Sequence, residues 1–309
     1  MSISQMKSSI IKNTKLIVSI LKSILGFTGI FLVSGIIAEI CIILIFTCIG
    51  INIFGDDMPN NILTQTMKLF GFVFFTVGTI IYCKFIEKRS VQSMGFIKKG
   101  FIINYLKGFI IGIILISAVL LISLATGALT YDGISNNINI LSILLFLVGY
   151  IIQGMAEEVM CRGYLMTSLS KKTSMFWAVI LSSLAFTFPH LSSLFVSGVQ
   201  FGAIGFVNTM LLSIFLSLFM IKEKNIWGVC AIHSSWNYIL GVICGISVSG
   251  GKTNVSILTF TTNATKSLIN GGMYGLEAGI ITTIILIMGI SILIFTMKRK
   301  NKIGGRSYC

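Results

Sequence analysis

An all-α, polytopic membrane fold is what this sequence predicts, and three observations carry the prediction. Of its 309 residues, 55% are hydrophobic and only 10% charged, where a soluble domain carries about a quarter charged. Its mean hydropathy is +0.97. Its basic residues, which set the net charge at +14, fall in short clusters between apolar runs, the pattern of cytoplasmic membrane loops. The clustering speaks against nucleic acid as the partner of that charge. Anionic membrane lipid is the partner it implies.

Taken in order, residues 1–25 form a basic amphipathic helix with Ser8, Lys12, Lys15, Ser19 and Lys22 on one face, suited to an anionic membrane surface. Lys7, Lys12, Lys15 and Lys22 interrupt any apolar core there, so the segment is not a signal peptide. Residues 26–300 read as one transmembrane domain and 301–309 as a basic cytoplasmic tail. Eight apolar runs of about membrane-spanning length fall near 28–53, 67–86, 106–127, 138–163, 175–191, 199–220, 226–247 and 275–297.

With both termini cytoplasmic, Lys84, Lys88, Arg89, Lys98, Lys99, Lys107, Lys171, Lys172, Lys222, Lys224 and the C-terminal cluster all lie inside. Outside lie Asp56, Asp57 and Asp132, with only Lys68, Lys252 and Lys266 as bases. The localisation this implies is a multi-pass protein of the cell membrane. The longest connection, about 248–274, is a Gly/Ser/Thr/Asn-rich outer loop. The cysteines lie mostly in apolar runs, with no CxxC pair, and read as small buried hydrophobes.

Against this background the stretch Glu157-Glu158-Val159-Met160-Cys161-Arg162 stands out. Carboxylates inside an apolar span cost a few kcal/mol each unless paired or used. The two histidines, His190 and His233, also sit in apolar runs, and Asn237 follows His233 by one helical turn. Helix rise places Glu157 about 22 Å from the Lys171-Lys172 turn and His190 about 25 Å beyond it, level across a tight hairpin. His233 then meets them if the hairpin tip projects about 10 Å into the cytoplasm. The site would lie in the cytoplasmic half of the bilayer, in a water-filled cavity.

The chemistry follows from the residue types. A carboxylate in an apolar cavity suits a general base acting on water. A neighbouring imidazole can share the proton or orient the water. His233 and Asn237 offer two donors aimed at one point, as oxyanion stabilisation requires. Glu158 and Arg162, at i and i+4, can neutralise each other and leave Glu157 to react. Together these suggest amide hydrolysis within the membrane. A competing reading is a metal site in which Glu157, His190 and His233 hold zinc with one water position open.

Glu39 and Glu277 read as helix-packing residues, and Asn208, Gln153 and Gln200 as interhelical hydrogen-bond residues, with Gln153 within reach of the site. The run Phe70, Phe72, Phe74, Phe75 reads as lipid-facing or core. Trp177, Trp227 and Trp236 read as interface anchors, Trp236 being also placed to line the cavity.

Glu157-Glu158…Arg162 as EExxxR, Phe186…His190 as FxxxH and His233…Asn237 as HxxxN resemble, in order and spacing, the three motifs of the CAAX-prenyl-protease and bacteriocin-processing (Abi) family. The resemblance is close over about 150–245, within a protease core at about 138–247. It implies an intramembrane endopeptidase in which Glu157 and His190 activate water, His233 and Asn237 bind the oxyanion, and Glu158 and Arg162 fill the remaining motif positions. Family members have been described as metalloproteases and as metal-free glutamate proteases. Asn237, a natural oxyanion donor and an uncommon zinc ligand, favours the glutamate type with no cofactor, zinc being the alternative. The implied substrate is a peptide or small membrane protein; the resemblance does not imply that it is prenylated. The alternatives are a non-catalytic bacteriocin self-immunity or accessory protein of the same fold and, less favoured, a proton-coupled transporter.

Overall fold

A computed structural model describes residues 3–51, 61–136, 138–196 and 198–303. Asp56, Asp57 and residues 304–309 of the expected tail lie outside the described residues. The chain forms a helical bundle: α1 (Ile3–Cys48), α2 (Ile62–Ile86), α3 (Phe101–Ala125), α4 (Ile140–Leu169), α5 (Met175–Ser193), α6 (Val199–Glu223), α7 (Trp227–Tyr238) and α8 (Ile280–Ile303). Among the described residues, seven of these helices are long and apolar enough to cross a membrane. The protein is therefore a multi-pass membrane protein.

The expected span at 226–247 is the exception. It is α7, twelve α-helical residues prolonged by a π-helical turn at Ile239–Ile243. Every residue from Gly228 to Tyr238 is buried, so α7 is surrounded by protein rather than lipid and needs no long apolar stretch. The lipid-facing residues are elsewhere: Leu32 and Ile36 on α1, Ile110 and Ile114 on α3, and Ile284 and Ile292 on α8 are all exposed. An outer apolar belt around a polar-bearing centre is what hydrocarbon solvent selects.

The helix expected at 1–25 and the first span form one continuous helix, α1, from Ile3 to Cys48. The all-α assignment misses a small sheet. β1 (Leu129–Ile134) pairs antiparallel with β2 (Leu258–Thr262), Leu129 facing Thr262 and Ile134 facing Leu258. Segment 248–274 therefore contains structure despite its polar composition. Tyr131 and Phe260 pack on each other across the sheet with centroids 5.5 Å apart, a cross-strand aromatic pair. Ile257 N–H donates to Val242 C=O, and Asn263 N–H to Ala128 C=O, pinning the segment to the ends of α7 and α3. We call this the hairpin end and the opposite one the basic end.

The central packing is α7 against α3 and α4. Gly108 and Gly112 of α3 abut Gly228, Ile232 and Ser235 of α7 without room for a Cβ. On α4, a Cβ at Gly154 would lie 2.8 Å from Ser234 N and 3.1 Å from Cys230 O. Small residues let the backbones meet, as packing between membrane helices requires.

The α4–α5 connection is tight. Lys172 and Thr173 N–H groups both donate to Leu169 C=O, and the Ser174 hydroxyl accepts from Trp177 N–H to start α5. Its tip is held to α1, where the Tyr164 hydroxyl donates to Ser23 C=O at 3.0 Å and Lys172 Nζ to Ser19 C=O at 3.2 Å. Burial in that contact depresses the Lys172 ammonium pKa below its usual value.

Candidate active site

Glu157 and Glu158 end the α-helical part of α4. From Val159 to Met166 the helix continues as a π-helix, a form that recurs at functional sites. Arg162 lies in that segment and is fully buried, as is Glu158. Their expected pairing is present, with Arg162 Nη1 at 2.9 Å from Glu158 Oε1. The guanidinium also donates to Ser213 O at 3.0 Å and Ser213 Oγ at 2.5 Å on α6, and lies over the Phe186 ring at 4.5 Å.

Glu158 does more than neutralise Arg162. Its Oε1 is also 2.9 Å from His233 Nδ1. A carboxylate held by a guanidinium accepts only, so Nδ1 carries the proton and Nε2 is turned toward Glu157. His233 Nε2 lies 3.8 Å from Glu157 Oε2. Glu157 and His233 thus come together at one depth.

His190 closes α5 in a tight turn at Phe188–His190 that includes Pro189. Its Nδ1 is 3.0 Å from Phe186 O. Because a carbonyl only accepts, Nδ1 donates and Nε2 keeps its lone pair. The ring thus caps a carbonyl of the preceding turn and lines the same cavity as Glu157, His233 and Asn237. Gln153 links two of these groups: its Nε2 donates to Glu157 Oε1 at 3.2 Å, and its Oε1 accepts from Asn237 Nδ2 at 3.4 Å.

The cavity holds about 250 Å³ of water-accessible space. From the four side chains its lining continues to Gln65 and Lys68 of α2 and to Ser249 and Lys252 of the segment after α7. Those residues belong to the hairpin end. The cavity thus extends from Glu157 toward the end opposite the basic loops. A second, mostly apolar cavity meets Glu157, Gln153, Phe186 and His190 from the side, between Phe27 and Phe31 of α1 and Phe72 and Phe75 of α2. Phe72 and Phe75 are thus cavity walls, stacked 5.2 Å apart.

Glu277 is hydrogen-bonded to its neighbours, as a helix-packing residue would be, and it also lines the cavity: it accepts the Trp236 indole N–H at 3.0 Å and Ser249 N–H in a short bond. Trp236 lines the cavity as expected. Asn208 fulfils the interhelical reading, donating to Glu277 O and Gly279 O while Thr283 donates to its Oδ1. Glu39 is exposed on α1. The signal for Glu277 was in the sequence as a lone carboxylate beginning an apolar run. Its partners, Ser249 and Trp236, are too distant in sequence to suggest themselves.

Among the described residues no three His, Cys, Asp or Glu side chains converge closely enough to hold a metal ion.

The fold and site define a multi-pass helical membrane protein with a buried Glu–His–Asn cluster on a water-accessible cavity. Residues 138–239, from the start of α4 through α7, match the family described as Type II CAAX prenyl endopeptidase Rce1-like. Over those residues the chain is similar to that family, as its three motifs had suggested. No match is found among curated proteins.

Proposed function

We propose that the protein is an intramembrane endopeptidase of the glutamate type. The observation that carries this reading is Glu157 Oε2 at 3.8 Å from His233 Nε2, beside a cavity also lined by His190 and Asn237. At that separation both groups can contact one water or substrate carbonyl placed beside them in the cavity.

On this reading Glu157 removes a proton from water, and His190 Nε2, with its lone pair free, accepts a hydrogen bond from the same water and holds it. The hydroxide attacks the peptide carbonyl. The resulting oxyanion is met by the Asn237 amide, whose second N–H is not engaged by Gln153, and by His233. Since His233 Nδ1–H is bound to Glu158, an Nε2–H donor requires the imidazolium form, whose countercharge at that stage is the oxyanion itself, Glu157 being then protonated. The proton held by Glu157 then passes to the leaving amine, which departs as the C–N bond breaks. The substrate is a peptide or small membrane protein, and both chain termini lie on the cytoplasmic side.

The test is cleavage of a quenched peptide panel by wild type and Glu157→Gln, with and without chelator. The reading expects cleavage that survives chelation and disappears in the variant. Loss on chelation would put the histidines in a metal shell. Specific peptide binding without turnover by either protein would indicate a non-catalytic immunity role.

A further inference from the structure

The charge rule that orients the chain leaves three lysines at the hairpin end, Lys68, Lys252 and Lys266. Lys266 has a structural use, since its ammonium donates to Thr126 C=O in a short bond. The other two are exposed and both line the cavity that leads to Glu157. Among the described residues neither takes part in an ion pair. The carboxylates of the same cavity are held elsewhere: Glu157 by Gln153, and Glu277 by Trp236 and Ser249.

The backbone positions carrying the two lysines are brought together by a built feature. Gln65 Nε2 donates to Lys252 C=O at 3.2 Å, and Gln65 Oε1 accepts Asn254 N–H at 3.2 Å. Gln65 precedes Lys68 by three residues and so shares its face of α2. One side chain thus clips the segment carrying Lys252 to the helical turn carrying Lys68.

We infer that Lys68 and Lys252 form a carboxylate-recognition site at the cavity mouth, and that the substrate is a peptide presenting a carboxylate there while its scissile bond reaches Glu157. The inference rests on the peptidase reading and deepens it. Two lysines on a half-enclosed wall attract an anion more strongly than they would on open surface, because the apolar walls concentrate the field. They also reject a cationic residue at the same position, giving selection by charge. The carboxylate is either the peptide's terminus or an Asp or Glu side chain, which the experiment separates.

Quenched peptides identical except for a free or amidated C-terminus, and in a parallel pair for Asp or Asn, are compared by kcat/KM with wild type, Lys68→Gln/Lys252→Gln and Lys68→Arg/Lys252→Arg. Wild type should prefer one carboxylate form by roughly tenfold, the size of a charge-assisted contact, with the preference shrinking as salt is raised. The Gln pair should bring the ratio close to one, and the Arg pair should keep it. The same peptides are titrated by anisotropy onto Glu157→Gln with and without the Gln pair. A carboxylate-dependent affinity that vanishes with the lysines supports the site even if nothing is cleaved, the result that would sink the peptidase reading alone. Equal cleavage and binding of charged and neutral peptides by the wild-type mouth, or a preference that survives the Gln pair, overturns the inference.

Discussion

Glu158 and His233 are joined at 2.9 Å through Oε1 and Nδ1, 75 residues apart in sequence and both buried. The same oxygen is 2.9 Å from Arg162 Nη1. One carboxylate therefore neutralises a buried guanidinium and fixes which imidazole nitrogen faces Glu157. The second carboxylate of the pair is a positioning residue for α7 as well as a partner for Arg162.

That arrangement separates stability from chemistry. Glu158→Gln leaves Arg162 without its countercharge in a buried site, a loss of about 3–5 kcal/mol, and should lower the thermal midpoint in detergent markedly. Glu158→Gln/Arg162→Met removes both charges and should recover most of the midpoint. Cleavage should stay depressed by about a hundredfold in both, since a misdirected His233 is not rescued. A double variant that regained activity along with stability would show Glu158 to be purely structural.

Asn237 is the group most directly tied to the oxyanion. Asn237→Leu removes the donor while keeping side-chain bulk. Its kcat should fall by about 10²–10³-fold with little change in KM, the signature of a contact made in the transition state. A change confined to KM would reassign Asn237 to substrate binding.

The close approach of α4 and α7 sets the distance between Glu157 and His233. A Cβ at Gly154 would meet Ser234 N at 2.8 Å and Cys230 O at 3.1 Å, both backbone atoms. Gly154→Val should therefore force the helices apart at a cost of about 1–3 kcal/mol and reduce cleavage even where the protein remains folded. Pulsed hydrogen exchange across residues 228–238 reads the same displacement. Unchanged protection and activity would mean that α7 can yield.

How much of this was legible beforehand follows from the range of the interactions. Glu157, Glu158, Arg162, His190, His233 and Asn237 were visible because polar groups in apolar spans are costly and the sequence holds few of them. The Glu158–Arg162 pair was visible because it is local, at i and i+4. The Glu158–His233 contact was not, because it depends on how closely Gly154 lets two helices approach. The helical bundle was legible from hydropathy, with α7 inside the run read at 226–247, but its burial and the β1–β2 pair were not, because hydropathy reports contact with lipid. α7 is screened from lipid by its neighbours, and Leu258–Thr262 forms a strand only because Leu129–Ile134 is there to pair with it.

Glu277 provides the last test, since it ties the mouth of the cavity to its floor. Its carboxylate accepts Trp236 Nε1–H and Ser249 N–H, and Trp236 lies between His233 and Asn237 on α7. Hydrogen bonds to a charged acceptor contribute about 1.5–3 kcal/mol. Glu277→Ala should free the 248–253 segment, seen as faster proteolysis and lower amide protection there, and raise KM for peptide. Glu277→Gln keeps an acceptor oxygen for one of the two donors and should fall between Ala and wild type on both measures. If Ala and Gln behaved alike, with KM unchanged, the carboxylate would have no part in shaping the cavity, and the Trp236 contact would be packing alone.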